Sequence, residues 1–154
     1  MHREEATELI AKKMKLVRIE SDYTQDKMAH VLGLSKKTLV QIEKERILPS
    51  WTTVVALCAL FRHSEILYAT LGGDPLEVIE TLAHNQVERP KEKTLGGKVW
   101  WKDIRKEEGF RLQQNIISQH YRILDEEGYR WFSSFDRQDA NEKFEHLVTN
   151  RSGN

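Results

Sequence analysis

The residues with most chemistry to offer lie between Thr24 and Arg46, in the stretch TQDKMAHVLGLSKKTLVQIEKER. Its second half opens on Ser35 and paired lysines and runs on through Thr38, Leu39, Val40, Gln41, Ile42, Glu43 and Lys44. Wound as a helix at ~100° per residue with Lys36 at the origin, Val40 falls near ~40°, Lys44 near ~80°, Lys37 near ~100° and Gln41 near ~140°. Leu39 and Ile42 fall near ~300° and ~240°, on the other side. One arc would anchor such a helix, while the opposite arc shows long polar chains and a single valine. Lysines at a helix N-terminus oppose the helix dipole, so their placement favours a surface that meets an anion. The side chains also suit nucleobase edges: lysine donates to O6 and N7 of guanine, glutamine pairs with N6 and N7 of adenine, and Val40 can pack on a thymine methyl. Outside a suitable fold the same lysines would be ordinary solvated charges. The elements that hold the arc decide.

Apolar residues at helical spacing predict a first helix over residues 5 to 19, with Leu9, Ile10, Met14 (or Leu16) and Val17 as candidates for its inner face. Thr24 can cap a second helix whose inner face is Met28, Ala29 and Leu32, and Gly33 ends it in the left-handed conformation. Ser35 caps a third helix running to about Glu45. Pro49-Ser50 marks a turn, and Ser50 caps a fourth helix carrying Val54, Val55, Leu57 and Leu60. A shorter fifth helix, Glu65 to Leu71, closes the unit before Gly72-Gly73.

Two consecutive helices joined by a tight glycine turn make a helix-turn-helix arrangement. The sequence here resembles the lambda-repressor-like (XRE) family of DNA-binding domains, over about residues 9 to 70. The resemblance rests on Thr24-Gln25, Ala29, the Gly33-Leu34-Ser35 turn, Leu39, Gln41-Ile42-Glu43 and Leu48-Pro49-Ser50. Glu45-Arg46 departs from it, since the family often has Asn-Gly there. The resemblance implies double-stranded DNA as partner, with the positions of Lys36, Lys37 and Gln41 facing base edges. It also implies that Gln25 binds a backbone phosphate and braces the third helix. Ser35, Thr38, Val40 and Lys44 complete the expected DNA-binding set, Thr38 and Lys44 as phosphate contacts. Arg18 and Glu43 stand apart, because in the family an arginine near the end of the first helix pairs with the Ile-Glu glutamate; a structural ion pair is expected. Trp51 is expected to pack rather than to stack on a base.

Asp74-Pro75 starts a short helix over 75–83, and HNQVERPKEKTLGG (84–97) reads as a linker. Beyond it the period changes. KVWWKDI, GFRLQQNI, SQHYRIL and YRWFSSF are aromatic and β-branched, separated by EEG (107–109) and DEEG (125–128) turn signals. Nine of the thirteen aromatic residues lie between Trp100 and Phe144, which favours strands there over further helices. A last helix from about Arg137 to Val148 turns Ala140, Phe144 and Leu147 inward. The expected organisation is a mainly α five-helix helix-turn-helix domain (1–71), a linker with a short helix (72–97), and a small α+β domain (98–150) made of an antiparallel sheet and one helix.

Overall charge is zero, which by itself points to no partner, but it hides an asymmetry. Lys12 to Arg46 holds nine basic residues against five acidic, whereas 71–154 holds 13 against 15. Only the first window is suited to phosphates. The single cysteine, Cys58, sits in VVALCALF and reads as a buried hydrophobe in a reducing compartment. That eight-residue run is too short to span a bilayer, and MHREEATEL has no signal-peptide pattern, so a cytoplasmic protein without membrane contact is expected. The six histidines show no metal spacing, the paired glycines are not phosphate loops, and no nucleophile constellation can be drawn. Neither catalytic residues nor metal nor cofactor is expected, and nothing supports a small-molecule effector. The reading is a sequence-specific transcriptional regulator, dimeric because one motif reads only a few base pairs. The alternative is an antitoxin or other protein-interaction module whose aromatic sheet holds a partner.

Overall fold

Short polar side chains start most of the helices in the first part of the chain. Thr24, Ser35, Ser50 and Ser64 each accept a hydrogen bond from the backbone N–H three residues on, at 3.1–3.2 Å, and Asp74 accepts from the Leu76 N–H at 3.0 Å. These caps satisfy donors that helix geometry leaves unpaired. The helices they open, in the computed structural model, are α3 (Gln25–Leu32), α4 (Lys36–Glu43), α5 (Trp51–Leu60), α6 (Glu65–Leu71) and α7 (Pro75–His84), preceded by α1 (Arg3–Ala11) and α2 (Met14–Glu20). The structure describes residues 1–88 and 100–153, and the chain divides into two units, Met1–Pro90 and Lys91–Asn154.

Two expectations about the first unit change. The helix expected over 5–19 is two helices, broken at Lys12-Lys13, which lets α1 reach α5 and α6 while α2 reaches α4 and α6. Ala6, Ile10, Met14 and Val17 are buried by this bend; Leu9 and Leu16 stay exposed. The helix expected to connect the two halves instead belongs to the first core, since α7 packs on α5 and α6 and buries Ile79. The remainder of the expected linker, from residue 89 to 97, lies outside the described residues. The core gathers Ile10, Met14, Val17, Met28, Leu32, Leu39, Ile42, Val54, Leu57, Leu67 and Ile79. Cys58 is buried within it, and that burial pushes its thiol up to about 12, so it stays protonated and unreactive.

The second unit is a meander. Strands β1 (Trp101–Glu107), β2 (Phe110–Asn115), β3 (Tyr121–Leu124) and β4 (Arg130–Ser134) lie side by side in chain order, each antiparallel to the next. The first turn is a two-residue loop, Glu108-Gly109, closed by the Glu107–Phe110 pair; both residues have positive φ (49° and 80°), as a turn matched to strand twist requires. In the third, the Asp125 carboxylate accepts from the N–H groups of Glu127 and Tyr129, both at 2.9 Å. Alternation then sends Phe110, Leu112, Tyr121 and Ile123 to one face, where Ala140, Phe144 and Leu147 of α8 (Arg137–Ser152) cover them. The helix runs four residues beyond the expected Val148, because Arg151 has a purpose there. Its guanidinium donates to the Glu108 carbonyl at 3.0 Å and to Glu126 at 2.7 Å and lies over the Phe110 ring, tying the helix end to two turns of the sheet.

Candidate nucleic-acid interface

The turn between α3 and α4 is closed from both sides. Gly33 adopts φ 71°, its N–H bonding to the His30 carbonyl while Leu34 N–H reaches back to Ala29 at 2.8 Å. This left-handed helix ending lets the chain reverse in two residues before Ser35 caps the next helix. Ser35 Oγ receives the Thr38 N–H and donates to Thr38 Oγ1 at 2.8 Å, so both hydroxyls are occupied in holding the first turn of α4.

Leu39 and Ile42 are the buried side of α4. A second anchor is polar. Arg18 of α2 meets Glu43 through two nitrogens, Nε at 3.0 Å and Nη2 at 2.8 Å from Oε1, and its Nη1 donates to the Tyr23 carbonyl at 3.0 Å. The side chains are only 15% and 3% exposed. A planar guanidinium suits this forked geometry in a way a lysine would not. Gln25, half-buried at the first position of α3, points its Nε2 at Glu43 Oε2, 3.5 Å away. Glu43 thereby links α2, α3 and α4 through one carboxylate.

With its back held, α4 leaves Lys36, Lys37 and, at its C-terminal cap, Lys44 exposed, and Thr38, Val40 and Gln41 half-buried along the same ridge. Neither Lys37 nor Lys44 forms an ion pair among the described residues. Lys36 does: its Nζ donates to Asp26 Oδ2 at 3.2 Å, with both groups largely exposed. Such a surface pair contributes little to stability and leaves the lysine free to exchange a carboxylate for another anion. No spacing rule links residues 26 and 36, so the pair was invisible in the sequence; it depends on how the Gly33 turn sets one helix against the other.

Two other contributions escaped the sequence reading. Glu20, at the end of α2, caps α6 from outside by accepting from the N–H groups of Glu65 (2.9 Å) and Ile66 (3.3 Å) and from Ser64 Oγ. Asp22 and Glu45 occupy left-handed positions (φ 56° and 59°) that end α2 and α4 with the same pair of backbone bonds that Gly33 makes after α3. At Glu45 an asparagine or glycine would adopt this conformation with less strain than glutamate. Trp51 packs against the core with Arg3 over its ring.

No helix among the described residues is long and apolar enough to cross a membrane. No curated protein and no solved structure matches the chain. A family model does match: the one described as helix-turn-helix, over residues 14–66, from the first residue of α2 into α6. The two matched helices around Gly33 are α3 and α4, and α1 and α7 pack on from beyond the matched stretch. Residues 14–66 are thus similar to the helix-turn-helix family, over about a third of the chain.

Proposed function

We propose that the protein is a sequence-specific DNA-binding transcriptional regulator of the cytoplasm that lays α4 in the major groove as one half of a homodimer. The observation that carries this reading is the outward ridge of Lys36, Lys37, Val40, Gln41 and Lys44 on a helix fixed from behind by Leu39, Ile42 and the Arg18–Glu43 pair. Lys36, Lys37 and Gln41 address base edges, and Val40 a thymine methyl. Gln25, Thr38 and Lys44 address phosphates, aided by the N-terminal amides of α3 and α4, while Ser35 shapes the first turn of α4 at the interface. A two-fold dimer would read half-sites about 34 Å apart.

Selecting bound sites from random duplex DNA at two salt concentrations tests the reading. A recurring palindrome, and affinity that drops steeply as salt rises, is expected; absence of enrichment at either salt overturns it. A protein that stays monomeric at micromolar concentration, both free and on DNA, removes the dimer alone.

One observation favours the second reading, a protein-interaction module of the antitoxin kind. Trp100, Ile116, Ile117 and Phe135 are exposed in the second unit, where the Ile116 N–H bonds the Trp100 carbonyl. Apolar groups left in water this way suit another protein. A stable heterocomplex in which DNA binding is dispensable would favour it.

A further inference from the structure

The second unit is close to neutral, with nine basic and ten acidic residues over 100–153, but its charges are sorted by face. On the side covered by α8, Arg105 pairs with Glu107 and Glu145, and Arg151 with Glu126, while Lys102 is the one strand cation there without an ion pair among the described residues. The opposite face differs. Strand register sets Lys106, Arg111, Leu124 and Arg130 in one row and Asp103, Gln113, Arg122 and Ser133 in the next. Residues paired across antiparallel strands share a face, so four cations stand there with one acid.

That acid does not answer them. Asp103 Oδ1 accepts from Gln113 Nε2 at 2.7 Å, and Gln113 Oε1 accepts from Arg122 Nε at 2.8 Å, so a neutral amide stands between carboxylate and guanidinium. The Arg122 guanidinium lies 3.7 Å over the Trp101 ring. Among the described residues, Lys106, Arg111, Arg122 and Arg130 form no ion pair. Burial, and then the charges of Arg111 and Arg130 beside it, hold Arg122 below the ordinary arginine range. Like charges gathered without a counter-ion oppose folding and gain from an external anion. The long apolar ring of Trp101 and the Gln113 bond keep Arg122 oriented before any partner arrives.

We infer that this sheet face is a second, sequence-independent contact for the phosphate backbone of the DNA held by the helix-turn-helix unit. The inference rests on the DNA-binding reading above. Guanidinium and ammonium groups set side by side across the strands of a sheet match an extended polyanion, and phosphate contacts position a protein without reading bases. The chain itself argues for DNA over an acidic protein: once α4 is engaged, the second unit is tethered to a duplex, and tethering raises the local phosphate concentration without any new affinity. Arg111 and Arg122 are half-buried and Lys106 and Arg130 exposed, so the row is accessible at its outer strands.

The test uses the full chain and the duplex selected by the wild-type protein. Lys106→Gln, Arg111→Gln and Arg130→Gln are combined, leaving Arg122 and its network intact; a second variant carries Arg111→Lys and Arg130→Lys. The glutamine variant should bind at least about tenfold more weakly at low salt, and the slope of log affinity against log salt should shrink by roughly 2–3, the loss of about three phosphate contacts. The selected base sequence should not change, and the lysine variant should keep the wild-type slope. An unchanged slope in the glutamine variant overturns the inference, as it would if an acidic protein were the true occupant. So does an equal loss in the lysine variant, which would mark a structural role. Wild-type protein that binds no duplex at all overturns the proposed function, and the inference with it.

Discussion

The two units solve the same problem, a small core in a short chain, by opposite means. The first is assembled from local signals: a serine or threonine begins a helix, a left-handed residue ends it, and neighbouring helices meet across connections of two to seven residues. Its long-range polar contacts are few and concentrated, above all at Glu43. The second unit depends on pairing between strands and on one helix laid across them, with Arg151 reaching back to turns 25 and 43 residues earlier in the chain. The comparison teaches where function can be read. In the first unit the residues not needed for caps or core stand out as an outward ridge, and chemistry follows from their types. In the second, the ladder of Asp103, Gln113 and Arg122 joins three strands, and no stretch of sequence announces it.

The sharpest way to test the separateness of the units is to empty one core. Phe144 is fully buried among Phe110, Leu112, Tyr121, Ile123, Ala140 and Leu147, with Arg105 over its ring. Phe144→Ala should destabilise the second unit by about 3–5 kcal/mol, enough to unfold most of a unit this small. Hydrogen exchange should then show lost protection in β2 and β3 and retained protection in α3 to α5. Loss in both units together would mean that the first core depends on the second, against the contrast drawn above.

A nearly equal effect is expected from the first unit's buried ion pair, Arg18–Glu43. Arg18→Ala leaves Glu43 almost fully enclosed without its partner, and should cost about 3 kcal/mol. The change should lower stability and DNA affinity together, because α4 loses its anchor. Joint replacement, Arg18→Met with Glu43→Leu, should recover most of the stability, since removing both charges removes the unpaired one. Urea titrations of the three proteins decide it; normal stability with lost binding in Arg18→Ala would make Arg18 a DNA contact instead.

Gln41→Ala sharpens the functional side of the comparison at a smaller scale. Gln41 is half-buried on the ridge and makes no side-chain bond that α4 needs. Binding should weaken by ~1–3 kcal/mol at one base position, with relaxed preference there and unchanged thermal stability. Site selection repeated with the variant measures this. A uniform loss across all duplexes would instead assign Gln41 to a phosphate.

Legibility follows the same division. The helix starts at Thr24, Ser35 and Ser50, the Gly33 turn, the buried pair Leu39 and Ile42, and the places of the four strands were readable because capping, turn chemistry and hydrophobic period act within a few residues, although β1 runs to Glu107, three residues past the expected KVWWKDI and into the expected turn. The break at Lys12-Lys13 was not, because no proline or glycine marks it and only the packing of α1 and α2 on different neighbours explains it. Nor was the role of α7: Ile79 reads as one apolar residue of a short amphipathic helix until α5 is found beside it. Lys36 was legible as an outward charge, but its pairing with Asp26 was not, since distance between two helices cannot be counted along a chain.

The smallest effect tests the end of α4. Glu45 sits at φ 59°, with its N–H on the Ile42 carbonyl and the Arg46 N–H on the Gln41 carbonyl at 3.0 Å. A glutamate there carries two penalties. Its β-carbon resists the left-handed region, and its negative charge lies at the negative end of the helix dipole. Glu45→Asn eases the first, because asparagine tolerates the left-handed region better, and removes the second; stability should rise by about 1 kcal/mol, or roughly 4–8 °C in the melting temperature of a unit this size. Glu45→Lys separates the causes, because it corrects the charge and keeps the strained backbone; it should gain less than half as much. If lysine gains as much as asparagine, the backbone is unstrained and the charge accounts for the effect. If asparagine loses stability, Glu45 has a partner in solution that holds it there, and the likeness between the ends of α3 and α4 is only one of backbone path.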